Sequence, residues 1–574
     1  MRTRLAMFVA FLVAGCLGNP LSEPAPTDDG ERRVSPLQAQ GATITDDGQN
    51  RTFAWKGTLG RGIAPPLVGS VGQASESVSY QVPVDDSVGT ITIGLTGTDA
   101  AAARLRTDQG RSACVARTGR VCTVEVTNDA AATWDLTVVS LAPNGVAFEV
   151  KATLDPRPPV FGVDPTPGGT YEVFDAGARG GEPTLYPLKD GRVLVVAGGR
   201  TLRMSADGKF TDATPPIDQR VSATLDPFLV GDPATDRVYV SQLASCMKLS
   251  WTDNGGDSWT SNVACGGPEL HHQKLSIGPG PAGRMVHLSM MNLASWLTTD
   301  EVVVTHARSA DGGVLWTQNP ALVRQVHGME ARAVGNVAAS EDGTVHIIAY
   351  LCDRFVDASY NGVGVGRSRD YGATWTWQKI GVGGGRCEGI DPGISAVGGN
   401  VYAAWWDFTS GTPAVWWAKS SDSGATWTTQ AKVPTPGLES FVFVDAAASK
   451  ERLVAHFLAT PDTDRGPTQA HGWARWYPYV ASLDLRDASA NWSLVRLQDD
   501  PVQVGYICMD GPMCMDGARN LLDFNDVQIG RDGRAYVAYS DGCDANCTQP
   551  WQSRGAALRV VRSAACEPPA TRCS

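Results

Sequence analysis

Four carboxylates, Asp353, Glu388, Asp391 and Asp407, fall close together in the chain, with Arg354, Arg386 and Trp406 among them. Grouped carboxylates support three chemistries. Two of them about 5 to 9 Å apart across a sugar can hydrolyse a glycosidic bond. Several converging on one point suit Ca²⁺, which takes oxygen ligands. Asp and Glu also cap strands and turns by accepting backbone N–H bonds, as in Asp226-Pro227 and Asp391-Pro392. All three stay open at this point. Asp226, His272, Glu330, Asp523 and Asp526 are further polar candidates. Trp406 and the pair Trp416-Trp417 offer rings that stack on a sugar or fill a core. The doublet His271-His272 suits a transition metal or acid–base work. No partner His stands at metal-binding spacing, so a hydrogen-bonded structural role competes with both.

Residues so far apart act together only if the fold gathers them, and a repeat does the gathering. Ser420-Ser421-Asp422-Ser423-Gly424-Ala425-Thr426-Trp427 returns as Ser368-Arg369-Asp370-Tyr371-Gly372-Ala373-Thr374-Trp375. Looser copies run from Ser309 to Trp316, centred on Asp311, and from Thr252 to Trp259, with Asn254 in place of Asp. The pattern S-x-D-x-G-x-T-W is that of a tight turn. The Asp accepts N–H bonds from its own turn, Gly supplies a positive φ, and Trp opens the next strand.

A longer unit surrounds each turn: an apolar strand, a turn with Gly, a second apolar strand, then a strand leading into the box. Its first halves are 183–198, 226–243, 274–290, 336–350, 391–406, 440–458 and 523–539. Repeats of this period with four strands each predict a β-propeller. The last unit has a third strand, Ala557–Arg562, and no fourth, and Tyr171-Glu172-Val173-Phe174 is the natural donor to close the ring. In such a ring the starts of the first strands and the ends of the second share one face. That places Asp226, His272, Glu330, Glu388, Asp391, Asp523 and Asp526 with Asp353, Arg354, Trp406 and Asp407 round one mouth of the channel.

The turn motif resembles the Asp-box, or bacterial neuraminidase repeat, of sialidases and related β-propellers. The resemblance covers roughly residues 170–563, at the level of sheets and turns. It implies an all-β fold whose boxes are structural turns away from the active site, and a function on extracellular glycan or protein. Sialidases have six blades, so seven units lean towards other members of the superfamily, with six blades as the alternative. Sialidases also hold their substrate with three arginines, one in a Phe/Tyr-Arg-Ile-Pro motif, and use a Tyr nucleophile with Glu and an Asp acid. That motif is missing here, and Arg354, Arg386, Arg519 and Tyr506 sit in no matching context. Two functions follow: a surface module binding glycan or protein, or a glycoside hydrolase (exo-sialidase-like) or lyase on the same face.

The amino terminus reads as an export signal, with Arg2 and Arg4 before an apolar run, Leu5–Val13. It ends in Val13-Ala14-Gly15-Cys16, which resembles a prokaryotic lipobox and implies lipidation at Cys16 and anchoring outside the membrane. An ordinary signal peptide with a chance Cys is the plainer reading. Residues 17–42 have the composition of a flexible tether. Residues 43–155 predict a separate β-sandwich, jelly-roll-like, from alternating runs such as Thr90–Leu95. Prolines mark a linker over 156–169, and the propeller takes 170–574.

Of 13 Cys, 12 fall into close pairs: Cys114/Cys122, Cys246/Cys265, Cys352/Cys387, Cys508/Cys514, Cys543/Cys547 and Cys566/Cys573. In an oxidising compartment these predict disulfides, with a zinc site at Cys543, Cys547 and Cys566 as the lesser alternative. The net charge of −12 and the absence of any basic run argue against nucleic acid. The expectation is a monomer with no certain cofactor, Ca²⁺ being the one candidate.

Overall fold

The computed structural model describes residues 42–46, 51–59, 77–84, 88–97, 101–106, 112–119, 121–126, 132–140, 146–156, 171–216, 225–243, 247–264, 270–292, 303–323, 330–352, 360–382, 391–407, 413–470, 474–487, 489–509, 519–543 and 556–564. The chain divides into two compact units at about Pro159/Val160.

The amino-terminal unit holds two antiparallel sheets. One orders its strands Thr43–Asp46, Arg51–Leu59, Val146–Pro156, Val88–Gly97 and Cys122–Glu125. The other orders them Ser77–Val84, Ala132–Ser140, Ala101–Arg106 and Ser112–Arg117. Alternation decides which side chains go inward. Ile91, Ile93 and Leu95 are buried on one face of Val88–Gly97 while their neighbours are half-exposed. Residues of both sheets meet in one core, where Trp55 stacks on Tyr80 at 4.9 Å between centroids. Each fully buried side chain of this kind contributes roughly 1.5–3 kcal/mol.

The second unit is built from seven antiparallel sheets among the described residues. Their innermost strands are Thr184–Pro187, Leu225–Gly231, Leu270–Gly280, Glu330–Ala339, Gly393–Val397, Ser440–Ala448 and Asp526–Ile529, in sheets 1 to 7. Each innermost strand contacts the next, and that of sheet 7 contacts that of sheet 1, so the sheets form a closed ring. This is the architecture of a β-propeller. Sheet 7 takes Ala535–Asp541 and Ala557–Ser563 from the end of the second unit and Tyr171–Arg179 from its beginning, with Tyr171 opposite Ser563 and Phe174 opposite Val560.

The innermost strands present an unpaired edge to the axis, and buried N–H groups need partners. Side chains of neighbouring sheets supply them. Thr184 Oγ1 accepts from the Leu229 amide (2.7 Å), Ser276 Oγ from Ala339 (3.1 Å), and Ser395 Oγ from Ala448 (3.0 Å). Asp445 Oδ2 accepts from Val527 (3.1 Å) and Asp526 Oδ2 from Leu185 (2.7 Å). The last bond joins sheet 7 to sheet 1.

The repeated turns lie between the third and fourth strands of sheets 2 to 5. In the turn of sheet 4, Asp370 Oδ1 accepts from the Thr374 amide (2.8 Å) and Ser368 Oγ (2.7 Å), and Oδ2 from Thr374 Oγ1 (2.6 Å). Asp422 makes the same set in sheet 5. Asp311 accepts from the Val314 and Leu315 amides, and Asn254 Oδ1 from that of Ser258. Gly372 has φ of 85°, and a Cβ there would lie 2.2 Å from His306 of sheet 3. Glycine is needed both for its conformation and for the closeness of the two sheets.

Candidate functional site

The innermost strands are irregular where they reach the axis. Register slips fall between Leu225 and Phe228, His271 and Lys274, Val334 and Val337, and Val442 and Asp445. Such bulges re-aim side chains. The residues at or just after the slips, Phe228, Lys274, Asn336 and Asp445, line one axial cavity with Thr184, Asp391, Phe443, Phe524, Asn525 and Asp526. Asp391 and Phe443 have φ of 52° and 57°. Asp tolerates that region, whereas Phe is strained in it.

Lys274 Nζ lies 2.6 Å from Asp391 Oδ2, with the side chains 1% and 7% exposed. The ammonium also sits 3.2 Å from the Phe524 ring centroid and 5.0 Å from that of Phe228. A carboxylate and two aromatic faces thus replace the water that an ammonium would otherwise keep. Beside this pair, Asn336 Nδ2 donates to Asp445 Oδ1 (2.7 Å), and Gln528 Nε2 to Asp526 Oδ1 (3.0 Å). Asp445 and Asp526 line the same cavity, and the Val527 amide that Asp445 accepts from follows Asp526 in the chain. Burial, and then the Asp526 charge, push the Asp445 carboxyl well above the usual range, and burial raises Asp526 too. The space left between these groups is about 10 Å³, room for about one water and far too little for a sugar.

Of the residues singled out in the sequence, Asp391 and Asp526 meet at this axis. Asp407 is fully buried at the end of Asn400–Asp407 and does not line the cavity. Trp406 is 1% exposed in the core shared by sheets 5 and 6, so it offers no face to a sugar. Asp523 is paired with Arg519, whose Nη2 donates to Oδ2 at 2.6 Å. Tyr506 is half-buried against the core of sheets 6 and 7. Asp226, His272 and Glu330 lie on innermost strands, with side chains outside the described residues, and Asp353, Arg354, Arg386 and Glu388 lie outside them altogether. Cys16 does too.

The cysteine pairs are shown only at one end. Cys122, Cys508 and Cys543 stand in disulfides. The partners expected for them from the sequence are Cys114, Cys514 and Cys547. Cys514 and Cys547 lie outside the described residues, and Cys114 lies on Ser112–Arg117 with its side chain outside the described set. The other three expected pairs, Cys246 with Cys265, Cys352 with Cys387 and Cys566 with Cys573, have no described side chain. Cys352 ends the strand Val345–Cys352, whereas Cys246, Cys265, Cys387, Cys566 and Cys573 fall outside the described residues. None of the six pairings is therefore shown. The zinc alternative at Cys543, Cys547 and Cys566 is corrected, because a disulfide at Cys543 removes the thiolate that zinc needs. Among the described residues no group of three or more His, Cys, Asp or Glu is arranged to hold a metal.

Lys274, Asn336 and Asp445 were not singled out. Asp445 had a visible signal: a carboxylate within Phe441-Val442-Phe443-Val444-Asp445-Ala446, an otherwise apolar run. Such a residue must find buried partners.

No protein-family model matches the chain, and no curated protein matches it. Among solved structures it is similar to the Hadza microbial sialidase Hz136, at 12% identity over 84% of this chain and 95% of that one, with a TM-score of 0.37. A leech intramolecular trans-sialidase complexed with 2,7-anhydro-Neu5Ac is similar at 10% identity, over 84% and 94%, with a TM-score of 0.35. The polysaccharide lyase Uly1 is similar at 10% identity, over 68% and 90%, with a TM-score of 0.39. Likeness at this level assigns neither fold nor activity to the chain, and the ring of sheets rests on the strand pairings above.

Proposed function

We propose that the chain is an exported, lipid-anchored binding protein, an amino-terminal β-sandwich followed by a seven-bladed Asp-box propeller. Its ligand is an extracellular glycan or protein, held by the connections at one mouth of the ring and not inside the axis. The supporting observation is the closed axis. Lys274 is paired with Asp391; Asp445 and Asp526 accept from Asn336, Val527, Leu185 and Gln528, and the cavity between them has room for about one water. From their place in the sequence repeat, Asp353, Arg354, Arg386 and Glu388 are the residues we assign to ligand contact. Lipidation at Cys16, six disulfides between the close cysteine pairs, a monomeric state and no nucleic-acid partner complete the reading.

One observation favours a glycoside hydrolase instead. Asp445 and Asp526 share one axial cavity, and burial raises both carboxyls, Asp445 well above the usual range, as the acid of a glycosidase is raised. Both are buried at a cavity with room for about one water, so a sugar has no access to them. The binding reading is therefore preferred. A glycan array probed with the exported chain tests it: Arg354→Ala and Glu388→Ala should weaken binding, and Asp370→Ala should not. Binding that survives both mouth substitutions and is lost in Asp370→Ala would reverse the assignment of faces.

A further inference from the structure

The pair Asp445–Asp526 sits at the seam where the last sheets meet the first. Asp445 Oδ2 accepts from Val527 of sheet 7 (3.1 Å), and Asp526 Oδ2 accepts from Leu185 of sheet 1 (2.7 Å). The two carboxyls line one cavity with room for about one water, and the amide that Asp445 accepts from is that of Val527, next to Asp526 in the chain. Asp445 is 5% and Asp526 4% exposed, so water does not screen two charges there. We propose that Asp445 and Asp526 form a proton-binding site holding one proton between them, and that this proton latches the ring shut.

The surrounding groups are consistent with one proton and one negative charge. Sheet 3 brings Lys274, paired with Asp391, which precedes the innermost strand of sheet 5, and the Lys274 charge also favours the ionised form of Asp526. Sheet 4 brings the neutral Asn336. Sheet 1 brings Thr184 and the Leu185 amide, neither charged. In sheet 6, His456 stands opposite Asp445, and burial holds its ring neutral by lowering it to about 4. Asp407 ends the second strand of sheet 5, and its charge acts with that of Asp391 on Tyr350.

The sign follows from the direction of the shift. A carboxyl raised in the folded state keeps its proton there after the unfolded chain has lost it. The stability it contributes is fully present below the ordinary carboxyl value near 4. It is lost as pH rises through the folded-state value. The buried histidines act in the opposite sense and below pH 6.5, so the comparison belongs above that pH.

Infrared spectroscopy of the full chain is the direct test. A carboxylic-acid C=O band should persist at pH 7, disappear reversibly on raising the pH, and take urea stability down with it. Asp445→Asn combined with Asp526→Asn, which removes both carboxyls, should remove the band and flatten the fall in stability. If the double variant does not fold, the parallel loss of band and stability in the unaltered chain still decides. No acid band at pH 7, an unchanged band in the double variant, or stabilisation by Ca²⁺ in place of the band would overturn the proposal.

Discussion

At the scale of single residues, acidic side chains hold both ends of the propeller sheets together. In the box turns each carboxylate replaces several missing backbone acceptors. Partial burial pushes the Asp370 carboxyl up, but hydrogen bonds from Thr374, Ser368 and Ala373 outweigh it and hold it down at about 2. Its contribution is present above the ordinary carboxyl value and lost as pH falls through about 2. Asp370→Ala leaves turn donors unmet and should destabilise by about 1–3 kcal/mol in urea unfolding at pH 7, by less as the pH approaches 2. An undiminished midpoint would remove the turn from the account. At the axis, Lys274→Met should cost about 3–5 kcal/mol by leaving Asp391 buried without its counter-ion. Adding Asp391→Asn, a side chain that tolerates the positive φ, should recover part of that loss. A double variant no more stable than Lys274→Met would mean that the ion pair is not the source of the cost. The box acids were legible in the sequence because they recur at fixed spacing. Lys274 and Asn336 were not, because each occurs once and a bulge, invisible in the sequence, turns it to the axis.

At the scale of elements, the strands were the most legible part. The apolar runs and Gly turns located all seven first halves, with starts late by up to six residues where the strands begin at Leu270 and Glu330, and the closing strand pairs where the missing fourth strand of the last unit required it. What ties neighbouring sheets together was not legible. An arginine on the third strand of one sheet reaches the turn of the next. Arg203 Nη1 donates to Gly255 O (3.3 Å), Arg308 Nη1 to Asp370 O (3.2 Å) and Tyr371 O (3.1 Å), and Arg367 Nη2 to Asp422 O (3.5 Å). Arg562 Nη1 does the same across the closure, to Ala206 O (2.8 Å), while its Nε reaches Glu172 (3.1 Å). The signal was present as Arg-Ser at 308–309, 367–368 and 562–563, but reading it requires knowing which sheet follows which. Arg562→Ala should loosen the closing strand first. Amides of Tyr171–Phe174 should exchange about tenfold faster, the equivalent of about 1.4 kcal/mol, with sheets 3 to 5 unchanged. Uniform acceleration through all sheets would show that the clamp acts on the whole ring and not on its seam.

At the scale of the whole molecule, a ring closed by its own first strand presents ligands with mouths, not edges. The proposed anchoring rests on the lipobox-like amino terminus: Cys16→Ser should move the protein from the membrane fraction to the soluble one, and unchanged sedimentation with membranes would refute lipidation. The residues assigned to ligand contact were named from the sequence by their place in the repeat, and their chemistry depends on connections rather than on the packed strands. The central claim is that the axial carboxylates hold the fold and do no chemistry on a substrate. It is tested most directly by incubating the exported chain with a panel of aryl glycosides, a sialoside among them, and measuring release of the aryl group. The account predicts no turnover above the uncatalysed rate, in the native chain and in Asp391→Asn alike. Turnover by the native chain that disappears in a stably folded Asp391→Asn variant would contradict it.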